Sequence, residues 1–170
     1  MNVRLEPVLP EQEPVLQNLM QLYIHDFSEF WAGTSKGDLQ ADGRFDPYPL
    51  AAYWTDRTRS AWFILRNDLL AGFALVNDHA HSGQAIDNSV AEFFVLRKHR
   101  GSGVAAAAAH LVFATRSGLW EVAVARKNTA ALRFWRKAVA TTPGATDTRE
   151  IDVRTPAWDG PIILFRRDGA

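Results

Sequence analysis

The chain has 170 residues, 47% of them apolar, enough for one well-formed core and too few for two comfortable domains. Lysine plus arginine equals aspartate plus glutamate at 19 each, so no net charge draws the chain to nucleic acid or to an anionic membrane. Cysteine is absent, which excludes disulfides, zinc–thiolate sites and thiol nucleophiles.

The size of the chain leads to the expectation of a single domain over residues 1–170, and Met1 to Pro10 carries no apolar h-region, so the cytoplasm is the expected location. Val3 to Leu5 reads as a first strand. From Glu11 to about Phe30 apolar residues fall at 15, 16, 19, 20, 23, 24, 27 and 30, a helical stripe with a break expected near Asp26. A polar segment with glycine and aspartate then runs from Ala32 to Pro47, and a short helix is expected from Pro49, carrying Leu50, Tyr53 and Trp54. Irregular segments of that length in a compact domain are more often functional than idle. Ala61–Arg66 and Leu69–Asn77 flank Asn67-Asp68 and predict a hairpin. Asp78 to Val90 reads as a polar connection to a central strand that includes Phe93-Phe94-Val95-Leu96. Within that connection His79 and His81 have no partner cluster, and no metal site is expected.

The most informative stretch comes next, Arg100-Gly101-Ser102-Gly103-Val104-Ala105, which leads from the apolar strand into an alanine-rich helix from Ala105 to Thr115. Glycines at 101 and 103 permit backbone conformations closed to other residues, so successive N–H groups can converge on one anion. The start of a helix adds unpaired donors and a positive dipole end. A Walker loop is excluded because no Lys-Ser or Lys-Thr follows Gly103. Gly101, Gly103, Ala106 and Glu121 overlap weakly with a dinucleotide fingerprint, and a tight turn without a ligand is the plain alternative. The alanine run is broken by His110 and falls short of the roughly 20 residues a spanning helix needs. Gly118–Val124 then predicts a strand, and a second helix starts near Asn128 and runs through Lys137. After a turn at Thr141-Thr142-Pro143-Gly144, Arg149–Arg154 and Ile162–Phe165 read as two more strands.

The order strand, R-x-x-G-x-[GA], helix, strand, N-x-x-A-x-x-F-[YW] resembles the acetyl-CoA-binding half of the GNAT superfamily of N-acetyltransferases. Arg100, Gly103 and Ala105 fill the first motif; Asn128, Ala131, Phe134 and Trp135 fill the second. The resemblance covers Glu92 to Ala140. It implies an α/β (α+β) fold, a central mixed sheet flanked by helices. It also implies acetyl-CoA as co-substrate without a metal, and transfer of acetyl to a primary amine of a small molecule or peptide. The arrangement admits a homodimer.

The cofactor contacts so implied are Val95, Leu96, Arg100, Gly101, Ser102, Gly103, Val104, Ala105, Asn128, Ala131, Phe134 and Trp135, with pantetheine pairing against the strand as an extra edge. Arg97, Lys98, Arg100, Arg126 and Lys127 form a positive rim for the outer phosphate. A main-chain N–H, at Val95 or Leu96, would polarise the thioester carbonyl, and Glu92 is the nearest carboxylate to serve as base, ahead of Asp26, Glu29 and Asp46. Trp135 stands where many relatives carry a tyrosine acid, and indole donates no proton at neutral pH. Tyr23, Tyr48 or Tyr53 could substitute, or the thiolate could leave unassisted; a non-catalytic acyl-CoA-binding domain of the same fold is the alternative function. Acceptor contacts are expected from Tyr23, Asp26, Phe30 and Trp54, with Trp31, Phe45 and Tyr48 near them.

Overall fold

The computed structural model describes residues 1–169. Its strands are β1 (Val3–Pro7), β2 (Ser60–Arg66), β3 (Leu69–Asn77), β4 (Asn88–Val95), β5 (Gly118–Ala123), β6 (Ala145–Arg154) and β7 (Asp159–Arg167). The α-helices are α1 (Glu13–Ser28), α2 (Ala52–Thr55), α3 (Val104–Ala114) and α4 (Thr129–Ala140). All strands join one seven-stranded sheet in the order β1-β2-β3-β4-β5-β7-β6, every pair antiparallel except β4 with β5. No helix among the described residues is long and apolar enough to cross a membrane.

Helices cover both faces, and the strand alternation of period two sorts the core accordingly. One face of the sheet meets α1 and α2 through Leu16, Met20, Tyr53, Phe73 and Phe94. The other meets α3 and α4 through Val112, Phe113, Trp120, Trp135 and Phe165, with Ile64, Val95, Val104 and Ala108 continuing that layer. The hairpin at Asn67-Asp68 forms with both residues at positive φ, 49° and 63°, as a primed two-residue turn demands.

Several boundaries differ from those read in the sequence. α1 does not break at Asp26: it continues to Ser28 and tightens into a 3-10 turn over Glu29–Trp31. α2 is a single turn that starts at Ala52 rather than Pro49. β4 begins at Asn88, inside the stretch expected to be a polar connection, because buried Asn88 donates from Nδ2 to the Ser117 carbonyl at 3.0 Å.

β4 is the strand that positions the site. It pairs with β3 from Gly72↔Val95 to Asn77↔Ser89, with one extra residue, Ala91, between Leu75↔Glu92 and Val76↔Val90. A Cβ at Gly72 would lie 1.9 Å from the Phe94 carbonyl oxygen, so only glycine lets β3 approach this closely. On its other side β4 pairs with β5 only at Asn88↔Trp120 and Ser89↔Glu121; beyond those residues the two strands part.

Candidate active site

The parting strands open a cleft of about 920 Å³. Its walls come from β4 (Val90 to Phe93), β5 and the residues after it (Val122 to Ala125), α4, α1, the segment 35–48 and the β6–β7 turn. The Leu96 N–H donates to the Ala71 carbonyl at 2.9 Å, which fixes the phase of the β3–β4 ladder. By the alternation of antiparallel pairing, Phe94 and Glu92 bond back to β3, while the N–H groups of Phe93 and Val95 point toward the gap. Leu96 is therefore committed to β3, and Val95 is the free donor of the two.

Past the strand, a 3-10 turn at Arg97–His99 leads to Gly101 and Gly103, both left-handed at φ 73° and 84°. A Cβ built at Gly101 meets nothing within 4 Å, and one at Gly103 meets only Met1 Cε at 3.5 Å, so the turn is open on its outer side. The first helical bond of α3 runs from the Ala107 N–H to the Gly103 carbonyl. Among the described residues, none accepts from the N–H groups of residues 101–106. Buried Val104 and Ala108 anchor the helix beneath them, and Ser102 Oγ donates to the His99 carbonyl at 2.7 Å. This row of unpartnered donors at a helix start fits a pyrophosphate.

The second motif has a local structural logic. Asn128 caps α4, its Oδ1 accepting from the Ala131 N–H at 3.1 Å, so the motif's asparagine and alanine are partners in one cap. Both line the cleft with Trp135. Phe134 stacks on Phe93 at 6.0 Å, and Trp135, only 7% exposed, meets the same ring edge-on at 5.0 Å.

The cationic rim is largely engaged within the protein. Arg100 Nε donates to the Val95 carbonyl at 2.8 Å, and its terminal nitrogen pairs with Asp26 at 2.5 Å. Arg97 meets the same carboxylate at 2.9 Å. Burial pushes Asp26 up, but the hydrogen bonds from Arg97 and Arg100 outweigh it and hold the carboxyl below its usual range. Arg126 pairs with Asp152 and Asp159 at 2.8 and 2.7 Å, and Lys127 Nζ donates to the Phe30 carbonyl at 3.3 Å.

Glu92 lies on the α1 face of β4, where the Tyr23 hydroxyl donates to Oε2 and the Tyr48 hydroxyl donates to Oε1 at 3.0 Å. Burial raises the Glu92 carboxyl, the phenol hydrogen bonds pull it back, and the net displacement is upward. Burial and the adjacent Glu92 charge push both phenols up, which keeps them protonated as donors. Tyr53, also pushed up by burial, lies next to the pair with its hydroxyl buried.

Of the residues expected on the acceptor side, Tyr23, Trp31, Phe45 and Tyr48 line the cleft. Asp26 is turned to the arginines, Phe30 packs on Phe27 at 5.5 Å, and Trp54 donates from Nε1 to the Val8 carbonyl at 2.8 Å, so these three lie outside it. The sequence reading missed Phe27, His81 and Trp158. Phe27 forms an aromatic ladder with Tyr23 and Trp31 along α1, at centroid distances of 5.1 and 5.7 Å, and its i, i+4 spacing was a usable signal. His81 lies tilted against Trp158, with ring centroids 4.3 Å apart. No local pattern joins those two; His81 is held in place by fully buried Glu121, which accepts from the His81 and Ser82 N–H groups at 2.7 and 3.3 Å. Among the described residues no histidine–carboxylate group could hold a metal ion.

A model described as the acetyltransferase (GNAT) family matches residues 16–139, from α1 through α4. Among curated proteins no match is found. The chain is similar in fold to an acetyltransferase from Thermus thermophilus, with TM-score 0.64 and 15% identity over 98% of this chain and 97% of that one. It is similar to AAC(6')-Ib, solved with paromomycin and acetyl-CoA, with TM-score 0.66 and 12% identity over 98% and 94%. It also resembles the ribosomal-protein-S18-alanine N-acetyltransferase of Escherichia coli, with TM-score 0.52 and 11% identity over 98% and 93%. The family model spans α1, the Glu92 strand and both cofactor-side motifs, and the chain belongs to the GNAT acetyltransferase family, whose shared reaction is acetyl transfer from acetyl-CoA.

Proposed function

We propose that the protein is an N-acetyltransferase acting on a primary amine with an apolar body, with Glu92 as its base. The observation that carries this reading is Glu92 itself, a half-buried carboxylate beside the parting of β4 and β5, held by two phenols and lining the cleft. Acetyl-CoA supplies the activated acyl group. The N–H groups of residues 101–106 bind its pyrophosphate, the free edge of β4 takes its amide-bearing arm, and the Val95 N–H stands where negative charge develops on a carbonyl oxygen. Glu92 accepts the proton that an acceptor ammonium must lose before its nitrogen can attack. A thiol of pKa near 8.5 leaves tolerably as thiolate, so Trp135 at the usual tyrosine position is compatible with turnover.

The cleft supports the acceptor class. Phe27, Trp31 and Phe45 offer apolar area, and Asp38 and Asp46 offer charge for a cation. Two of the structural relatives act on or bind amines by their names, an S18 alanine and paromomycin. The deciding experiment is release of free thiol from acetyl-CoA across arylalkylamines, polyamines, amino acids, aminoglycosides and peptides. Turnover on at least one amine is expected, and Glu92→Gln should lower kcat by about 10²-fold or more while acetyl-CoA binding persists. No thiol release with any amine would favour an acyl-CoA-binding module instead.

A further inference from the structure

Two side-chain amides outside the cleft hold the segment that reaches Glu92. Gln17 and Gln21 stand one turn apart on α1, on the same face of the helix. Gln17 Nε2 donates to the Tyr48 carbonyl at 2.8 Å, and its Oε1 accepts from the Tyr48 N–H at 3.2 Å. Gln21 repeats the pattern on Phe45, with Nε2 donating to the carbonyl at 3.2 Å and Oε1 accepting from the N–H at 2.8 Å. Each carboxamide thus meets both main-chain groups of one residue, the pairing a neighbouring strand would give, in a stretch that has no regular structure of its own. With its backbone so held, Tyr48 places its hydroxyl 3.0 Å from Glu92, while Phe45 lines the cleft.

We propose that Gln17 is a positioning residue for the proton transfer and Gln21 one for acceptor recognition, each acting through the main chain of the residue it clamps. This rests on the reading of Glu92 as base. Two phenols donate to Glu92, Tyr23 from α1 and Tyr48 from the clamped segment; Tyr53 from α2 lies near them with its hydroxyl buried, and Arg59 stands 5.5 Å over the Tyr53 ring. Loosening Tyr48 removes one hydrogen bond from the charged form of Glu92 and leaves that from Tyr23, so the carboxyl rises and the acid limb of the rate profile moves to higher pH.

The test is a double-mutant cycle with full pH–rate profiles on the amine that turns over best. Gln17→Ala and Tyr48→Phe should each lower kcat on the order of tenfold and move the acid limb upward, with KM for acetyl-CoA unchanged. Combined, they should cost less than about twofold beyond either alone, because both remove the same hydroxyl from Glu92. Gln21→Ala should raise the acceptor KM and leave kcat within about twofold. Thermal unfolding and acetyl-CoA titration show that each variant is folded, and Gln17→Met, which keeps the packing volume, replaces Gln17→Ala if the latter does not fold. Independent losses in the cycle, an unmoved acid limb in Gln17→Ala, or a Gln21→Ala effect confined to kcat would overturn the proposal. If Glu92→Gln is fully active the base reading itself fails; if Glu92→Gln is dead and Gln17→Ala is silent, only the clamp fails.

Discussion

At the scale of single residues, Glu92 balances two opposed effects. Burial disfavours its charge, and the phenols of Tyr23 and Tyr48 favour it. A base works only when deprotonated, so activity should be present above the Glu92 pKa and fall as pH drops through it. Tyr23→Phe deletes one donor to the carboxylate, and a hydrogen bond to a charged group is worth about 1.5–3 kcal/mol. The acid limb of kcat/KM should accordingly move up by about one to two pH units, read from the profiles of native and variant enzyme. A limb that stays in place or moves down would show that Tyr23 does not stabilise the ionised form. The carboxylate was readable in the sequence as a candidate because it is the nearest acid on the strand that leads into the glycine turn. Its phenols were not, since Tyr23 and Tyr48 are 69 and 44 residues away and meet it only through the packing of α1 and its following segment on β4.

At the scale of elements, the glycine turn before α3 is the best-specified part of the chain. Glycines at φ 73° and 84° precede α3, and both motifs open helices, as their spacing predicts. Gly103→Val forces a β-branched residue into a left-handed conformation, at a cost of about 1–2 kcal/mol, and sets a branched side chain within the row of donors. The variant's thermal midpoint should fall by several degrees, and the further rise that acetyl-CoA gives the native protein should be lost. That rise corresponds to about 2.7 kcal/mol at a hundredfold excess over Kd. A retained rise in Gly103→Val would move the phosphates away from this turn. Element ends were less legible than element types. The expected break of α1 at Asp26 rested on a polar residue in a helical stripe, yet that residue pairs with Arg97 and Arg100 across 71 and 74 positions and the helix runs on. Likewise β4 extends back to Asn88 because the Ser117 carbonyl satisfies a buried amide, a tertiary partner that no local pattern announces.

At the scale of the molecule, the sheet order places its one parallel pair, β4 with β5, in the interior and leaves it paired over two residues only. A sheet interrupted in this way exposes main-chain groups that an ordinary sheet would satisfy, and under the proposed function the amide-bearing arm of acetyl-CoA supplies the substitute strand. The phase of the β3–β4 ladder makes the consequence specific to alternate residues. Phe93 and Val95 face the gap, whereas Phe94 and Leu96 are already tied to β3, Leu96 through its bond to the Ala71 carbonyl. Amide hydrogen exchange with and without acetyl-CoA should therefore show protection rising by an order of magnitude or more at Phe93 and Val95, with little change at Phe94 and Leu96. Coenzyme A lacking the acetyl group should reproduce the effect at Phe93, since the arm alone forms the strand, and should protect Val95 less, since the carbonyl its N–H would bind is missing. Equal protection along all of β4 would mean general tightening of the fold rather than strand pairing. Protection confined to residues 101–106 would leave the phosphates where the turn puts them and place the arm elsewhere in the cleft.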